Sequence, residues 1–223
     1  MSRDLFVKAM TRFFAGFAIV CLLLFLPAGT IRYPQSWLLL GILFIPMFIA
    51  GLIMMVKNPE LLKKRLNAKE KESEQKEVIL FSGIMFLAAF ILAVLSFRFG
   101  WLMLPFPVSI ISAVIFLAAY AVYAEVLREN TFLSRTIEVQ ENQKVIDTGL
   151  YGIVRHPMYM ATVILFLAMP LVLGSFISFL IMLFYIPIIV KRILNEEHVL
   201  TKDLKGYEAY QKKVKYRLIP FIW

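Results

Sequence analysis

Two short stretches of this 223-residue chain concentrate its polar chemistry. Residues 149–160 read GLYGIVRHPMYM, and residues 191–200 read KRILNEEHVL. In the first stretch, Pro157 favours the first position of a helix, whose unpaired amides and positive dipole end attract carboxylate or phosphate groups. Because Arg155 and His156 precede that position, the stretch predicts a site for the anionic group of a small molecule. The ordinary alternative is a helix boundary at a membrane interface, with Arg and Tyr as anchors.

The second stretch places Arg192 and Glu196 four residues apart, on one face of a predicted helix. It continues an apolar run without a break, and ionisable groups at that depth are usually functional. The ordinary alternative is a surface ion pair worth a few tenths of a kcal/mol. His198 falls on another face, where we expect it to be exposed. No Cys, Asp or Glu accompanies His156 or His198 at metal-ligand spacing, so no metal site is predicted.

The composition is that of a membrane protein, since 61% of the residues are hydrophobic and the mean hydropathy is +0.78. The single Cys21 cannot form an intrachain disulfide. The first apolar run is too long for a signal peptide and predicts a retained span. A net charge of +9 alone would suggest nucleic acid as a partner. In a membrane chain it indicates orientation instead, and no nucleic-acid partner is expected.

Six apolar runs predict an all-α integral membrane protein with about six membrane helices. The runs are approximately 13–31, 37–56, 78–97, 105–124, 158–173 and 175–190. The last two are short and divided only by Gly174, which predicts a helical hairpin at 158–190 packed inside the bundle. We therefore expect a four-helix region at 1–124, with a cytosolic loop at 57–77. A cofactor-binding catalytic region with a cytosolic tail is expected at 125–223.

The basic residues divide the chain into two sides. All 24 Lys and Arg except Arg32 and Arg98 precede the first run or lie in the segments 57–77, 125–156 and 191–223. The positive-inside rule then predicts that both termini and both polar stretches face the cytosol, after an even number of crossings. The membrane would be the plasma membrane in a prokaryote and the endoplasmic reticulum in a eukaryote.

The polar segments between the runs differ in character. In the loop 57–77, Asn58-Pro59 predicts a helix start, and the loop is interpreted as a solvated helix near lipid headgroups or, alternatively, as a lid over a cytosolic site. The stretch 125–156 contains β-branched residues and glycines and predicts irregular, partly extended chain. Such backbone cannot face lipid, so it must cover the cytosolic mouth of the bundle or line a cavity.

The motifs GLYGIVRHPMY, RILNEEHVL and GYEAYQKKVKYRLIP together resemble the isoprenylcysteine carboxyl methyltransferase family, a group that includes phospholipid methyltransferase relatives. The resemblance covers roughly residues 140–220. It implies S-adenosylmethionine as the cofactor, and Arg192 and Glu196 as the catalytic pair, with Arg192 on the substrate side. The implied cofactor-binding residues are Gln140, Gln143, Lys144, Val145, Ile146, Tyr151, His156, Pro157, Met158, Tyr159 and Glu196. Family members often carry His–Thr where Gln143 and Lys144 stand, a change that backbone contacts to the cofactor would tolerate.

The resemblance implies methylation of the carboxylate of a prenylated cysteine or a similar lipophilic acceptor. A carboxylate is ionised near neutral pH and needs no general base, so alignment and exclusion of water would supply most of the acceleration. Arg192 would hold the acceptor and Glu196 the cofactor, while lipids surround the bundle. Oligomeric state is left open.

Three alternatives remain at this point. Phospholipid N-methylation on the same scaffold would need a proton acceptor, for which Glu196 or His156 could serve. A membrane reductase of the sterol reductase type would use NADPH. A membrane interaction protein would keep the scaffold without catalysis.

The charge division generates a topology prediction. In a Cys21→Ser background, Cys at position 70 should be protected from a membrane-impermeant thiol reagent in sealed right-side-out vesicles. Cys at position 32 should be labelled, because the positive-inside rule places it on the opposite side. Labelling at position 70 with protection at position 32 would reverse the topology.

Overall fold

The computed structural model describes residues 3–66, 73–133, 137 and 139–223. Residues 67–72 of the charged loop and Ser134, Arg135, Thr136 and Glu138 of the polar stretch lie outside the described residues. The helices of the described part are α1 (Arg3–Ala28), α2 (Pro34–Lys57), α3 (Pro59–Leu66), α4 (Ser73–Phe99), α5 (Phe106–Glu129), α6 (Pro157–Val172), α7 (Phe176–Met182), α8 (Tyr185–Asp203) and α9 (Tyr207–Lys213). A short 3₁₀ turn, Gly149–Gly152, precedes α6.

Five helical segments are long and apolar enough to cross a membrane. They are α1, α2, the part of α4 from Val78 to Phe99, α5, and the segment Phe176–Asp203 that contains α7 and α8. The remaining apolar helix, α6, has 16 residues, so it is about 24 Å long and shorter than a bilayer core of about 30 Å. The chain is an all-α integral membrane protein, and each predicted apolar run overlaps one of these apolar helical segments.

The turn of the C-terminal hairpin is buried and closely bonded. Gly174 has φ +75°, a left-handed conformation that favours glycine, and an added Cβ would lie 3.1 Å from the Met103 side chain. Next to it, the Tyr33 hydroxyl donates to the Leu173 carbonyl at 2.6 Å. The Ser175 hydroxyl caps α7 by accepting from the Ser178 amide at 3.2 Å. These bonds fix the end of the hairpin that lies farthest from the polar stretches.

The unbroken apolar run 175–190 suggests one continuous helix for the second arm of the hairpin. The structure has two helices there instead. The arm is interrupted at Leu183 and Phe184, between α7 and α8. Pro187 explains the interruption, because a proline has no amide hydrogen to donate to the carbonyl four residues back, and its ring crowds that carbonyl. The residue four positions before Pro187 is Leu183. From Tyr185 onward α8 continues without a break into the polar stretch, as predicted.

The two ends of the bundle carry the two groups of basic residues. At one end, Arg98 donates to the Pro27 carbonyl at 2.9 Å. At the other end, α3 begins at Pro59, as predicted, and Asn58 accepts from the Leu61 amide at 3.1 Å. This arrangement agrees with the charge division along the chain, whereas the end that faces the cytosol stays a prediction.

Helix α3 is more than a solvated surface helix. Leu61 and Leu62 are buried, and Leu62 packs with residues of α1 and α2. Lys64 Nζ lies 5.6 Å from the ring centroid of Phe132, and Arg65 Nη1 lies 3.9 Å from the sulfur of Met158. Because Phe132 and Met158 line the cleft described below, α3 lies at the rim of that cleft. This is close to where the loop 57–77 would lie if it formed a lid over the site.

Candidate functional site

The two polar stretches meet at one end of the bundle, where α6 begins and α8 ends. They line a cleft that is open to solvent. Every predicted site residue except Gln140 and Pro157 is among its lining residues: Gln143, Lys144, Val145, Ile146, Tyr151, His156, Met158, Tyr159, Arg192 and Glu196. Other residues that line it are Asn130, Phe132, Leu133, Ile137, Arg155, Leu200, Leu204, Tyr207 and Tyr210. The fold therefore gathers the predicted residues in one place, while their individual roles stay predictions.

The N-terminus of α6 opens onto this cleft. Pro157 occupies the first turn, as the sequence predicts, and the side chain of His156, the N-cap residue, makes no capping hydrogen bond. The backbone amides of the first helical turn have no carbonyl partner within their own helix. Since Met158 and Tyr159 of that turn line the cleft, the positive end of the α6 dipole lies at its wall. This is the local arrangement that favours a carboxylate.

Tyr159 joins the two predicted catalytic residues. Its hydroxyl donates a short hydrogen bond to a carboxylate oxygen of Glu196. The same hydroxyl accepts from Arg192 Nε at 2.9 Å, and the Arg192 guanidinium carbon lies 5.9 Å from the Tyr159 ring centroid. The spacing of four residues on α8 thus places a cation and a carboxylate at the same phenol hydroxyl, in the lining of the cleft.

Glu197, the neighbour of Glu196, is the centre of a buried ionic cluster. Only 5% of Glu197 is exposed. One of its carboxylate oxygens accepts from Arg155 Nε at 2.7 Å and lies 3.2 Å from His156 Nε2. The other oxygen accepts from Arg217 Nε at 2.8 Å. One carboxylate therefore ties α8 to the segment before α6 and to the C-terminal tail.

This cluster corrects the role expected of Arg155. The sequence suggested that Arg155 would assist anion binding at the start of α6. Instead its Nη1 atom donates to the carbonyls of Val214 and Lys215 at 2.7 and 2.9 Å, and its Nε donates to Glu197. A buried guanidinium with these partners holds the chain together. His156 also contacts Glu197, although its ring still forms part of the cleft wall.

The stretch before α6 forms another wall, as predicted, although its first residues, 125–129, are the last turn of α5 and not irregular chain. A turn at 140–143 is closed by the Gln143 amide, which donates to the Gln140 carbonyl at 3.0 Å. The Gln140 amide donates in return to the Gln143 side chain at 2.8 Å. Gln140 shapes this turn without lining the cleft. Val145 then packs in an apolar cluster with Tyr207 and Tyr210 of α9, which holds the wall in place.

Buried tyrosines complete the cleft. The Tyr151 hydroxyl accepts from Asn130 Nδ2 at 3.0 Å, and the Tyr210 hydroxyl donates to the Tyr151 carbonyl at 2.8 Å. The Tyr207 hydroxyl is buried and finds no hydrogen-bond partner within the described chain. Burial raises the pKa of all three phenols well above the usual value, so they remain neutral near pH 7.

Several of these residues were not predicted from the sequence. They include Glu197, Arg217, Tyr207 and Tyr210, all of which lie in the motifs RILNEEHVL and GYEAYQKKVKYRLIP. The adjacent Glu196 and Glu197 could have indicated two different environments, because two neighbours on a helix point about 100° apart and so meet different partners. By contrast, His198 is exposed, as expected.

The ionic cluster generates a stability prediction. Glu197→Gln should lower the melting temperature of the purified protein, because Arg155 and Arg217 lose their shared counter-charge. Loss of one partner from a buried ion pair typically costs about 3–5 kcal/mol. Glu208→Gln on the exposed face of α9 is the matched control and should leave the melting temperature nearly unchanged. Equal melting temperatures for the two variants would show that the cluster does not hold the tail to α8.

Comparison with known proteins agrees with this arrangement. A curated relative, the Delta(14)-sterol reductase TM7SF2 of Mus musculus, is 30% identical over 91 residues, which amount to 40% of this chain and 22% of that protein. The chain thus matches about a fifth of the length of this relative. Residues 107–202, which contain α6, α7 and most of α5 and α8, match the isoprenylcysteine carboxyl methyltransferase family. This part of the chain is therefore similar to the isoprenylcysteine carboxyl methyltransferase family.

Proposed function

We propose that this protein is a membrane methyltransferase that transfers a methyl group from S-adenosylmethionine to a lipophilic acceptor. The observation that carries the proposal is the Arg192–Tyr159–Glu196 arrangement at the N-terminus of α6. It provides a cation and a carboxylate within one cleft, at the end of a bundle of membrane helices. A soluble cofactor and a lipid-held acceptor can meet at such a boundary.

The cleft has the chemistry that S-adenosylmethionine requires. The amides at the start of α6 suit the carboxylate of its methionine part, and Glu196 suits its ammonium group. Tyr151 and Tyr159 present aromatic rings that suit a sulfonium or an adenine. Tyr207 is only 4% exposed and lines the cleft, and its hydroxyl has no hydrogen-bond partner among the described residues. Such a group is costly unless a ligand or water pairs with it. The residues present therefore fit this cofactor.

The reaction places few demands on acid–base groups. When bound, S-adenosylmethionine supplies a methyl group on a positively charged sulfur. The acceptor that best suits the cleft is a carboxylate such as that of a prenylated cysteine, because Arg192 can align it through charge-assisted hydrogen bonds. Binding of the acceptor and the cofactor would displace water from the cleft, which would strengthen this alignment. Tyr159 fixes Arg192 and Glu196 relative to each other, so acceptor and cofactor groups would be held in one orientation.

The proposal includes the organisation of the chain. Residues 125–223 form the cofactor-binding region with its hairpin and tail, and residues 1–124 form the supporting membrane region. The cleft and both termini face the cytosol. Surrounding lipids deliver the acceptor. In this scheme, the similarity to part of a sterol reductase reflects a shared scaffold. The alternative, a reductase that uses NADPH, can be distinguished most simply by cofactor-binding experiments.

Cofactor binding is the direct test. Purified protein should bind S-adenosylhomocysteine, the demethylated product, in a calorimetric titration, and should show no binding of NADPH at the same concentration. Glu196→Gln should weaken S-adenosylhomocysteine binding by roughly ten- to a hundredfold, because a charge-assisted bond to the ammonium group contributes about 1.5–3 kcal/mol. If wild-type protein bound NADPH and not S-adenosylhomocysteine, the methyltransferase proposal would be wrong.

Tyr207 provides a sharper version of this test. Tyr207→Phe should weaken S-adenosylhomocysteine binding by about three- to tenfold, the scale of one hydrogen bond, and leave the melting temperature unchanged. Tyr210→Phe is the matched control. It removes a hydroxyl that bonds to the protein itself, so it should lower the melting temperature. Unchanged affinity in Tyr207→Phe would show that the Tyr207 hydroxyl does not contact the cofactor. It would leave the proposed function standing, because that depends on the titration of the wild-type protein.

Acceptor chemistry is tested at Arg192. Arg192→Lys should leave S-adenosylhomocysteine affinity within a few-fold, because the substitution keeps the positive charge near Tyr159. Turnover of a prenylated cysteine analogue should fall by roughly a hundredfold, since lysine cannot reproduce the two-pronged guanidinium bond to a carboxylate. Wild-type turnover in this variant, or turnover only with amine-bearing lipids, would favour phospholipid N-methylation instead.

A further inference from the structure

The C-terminal tail lies against the point where α6 begins. The amides of Arg155 and His156 donate to the carbonyls of Tyr216 and Arg217, each at 2.9 Å. Beyond this pairing, Leu218 is buried in the main apolar core of the membrane helices, and Trp223 packs against that core. The tail therefore lies at the level where the hairpin of α6 and α7 starts, at the same end of the bundle as the cleft.

The tip of the tail is a tight turn formed by residues 219–222. The Ile222 amide donates to the Ile219 carbonyl at 3.2 Å, and the Leu218 and Ile219 amides donate to the Trp223 backbone oxygen at 2.8 and 3.0 Å. Phe221 has φ +66°, a left-handed conformation that is costly for a bulky residue and persists only where surrounding bonds enforce it. The turn leaves most of the Phe221 side chain exposed, with its ring centroid 5.4 Å from that of Tyr216.

The tip exposes large apolar side chains. Phe221 is 86% exposed, more than any other large hydrophobic residue in the described part of the chain, and Ile222 is 77% exposed. Most residues of comparable exposure, such as Val56 and Leu26, lie on α1, α2, α4 and α5, where a bilayer would cover them. Because Phe221 and Ile222 are this exposed although they lie outside the spans, their exposure indicates an apolar surface that the membrane covers.

The surroundings of the tip match the interfacial layer of a bilayer. The guanidinium carbon of Arg217 lies 5.3 Å from the Trp223 ring centroid. Tryptophan is enriched at membrane interfaces, where its ring lies at the level of the lipid headgroups. Exposed Lys212 and Lys215 precede the turn, together with Lys213, which pairs with Asp147 at 2.6 Å. Basic residues next to exposed apolar ones are typical of segments that lie in an interface with anionic lipids.

We propose that the turn at residues 219–222 inserts Phe221 and Ile222 into the lipid leaflet at the cleft end of the bundle. Trp223 then lies at the headgroup level, and the preceding lysines contact anionic headgroups. The occupant of this apolar surface is thus the bilayer itself. This interaction surface does not depend on the methyltransferase proposal, because it follows from the position and exposure of the tail.

Fluorescence quenching in vesicles tests this surface. The full-length Cys21→Ser protein, with Phe221→Cys carrying an environment-sensitive fluorophore, is reconstituted into phosphatidylcholine–phosphatidylglycerol vesicles. Glu208→Cys, on the exposed face of α9, is the control. Lipids brominated on their acyl chains should quench the probe at position 221 at least several-fold more than the probe at position 208. Aqueous iodide should show the reverse preference.

The remaining outcomes also decide the proposal. Ile222→Cys carries the probe in a second variant, so that a folding defect of Phe221→Cys does not leave the question unanswered. Equal iodide quenching at positions 221 and 208 would show that the turn lies in water. Protection from iodide without quenching by brominated lipid would show that protein, such as a second copy of the chain, covers the turn. Either result would overturn the proposal.

Discussion

The carboxylate of Glu197 holds together three segments that are far apart in the sequence. It accepts hydrogen bonds from Arg155, which precedes α6, and from Arg217 in the tail, and it contacts His156. Placing charges in the interior is expensive, and the cost is offset only when they pair with good geometry. The position of the tail, the start of α6 and the end of α8 therefore depend on one another. The cleft between them exists because this cluster fixes all three.

The adjacent glutamates Glu196 and Glu197 on α8 have different surroundings. Glu197 faces the interior, where it is saturated by protein partners. Glu196 faces the cleft with Arg192, and Tyr159 bonds to both. Because a helix turns by about 100° per residue, two neighbouring carboxylates can serve these separate surroundings. In such a site the buried Glu197 cluster holds the chain in place and Glu196 remains accessible. This arrangement suits a reaction that needs binding and alignment more than proton transfer.

Much of the fold could be predicted from the sequence, because membrane helices depend on local composition. The apolar runs, Pro157 at the start of α6 and Gly174 at the hairpin turn all have local physical reasons. The spacing of Arg192 and Glu196 likewise fixed their common face. The break at Leu183 could also have been predicted, since Pro187 lies four residues later, but the unbroken apolar run suggested a continuous helix.

The ionic cluster could not be predicted in the same way. Arg155 and Arg217 lie 42 and 20 residues from Glu197 in the sequence, and no local pattern pairs them. A sequence also does not reveal which of two adjacent glutamates faces the interior, because that depends on how α8 is rotated against its neighbours. The Tyr207 hydroxyl, which has no partner within the described part of the chain, could not be predicted either, since its position results from the packing of α9 on the irregular wall.

A high-resolution structure of the protein with bound S-adenosylhomocysteine, determined in lipid nanodiscs, tests the central claim most directly. The account predicts ligand density in the cleft, with the carboxylate at the start of α6, the amino group near Glu196 and a contact to the Tyr207 hydroxyl. Glu197 should keep its bonds to Arg155 and Arg217. Ligand density at another place, or a ligand bonded to Glu197 with the ionic cluster opened, would contradict the account.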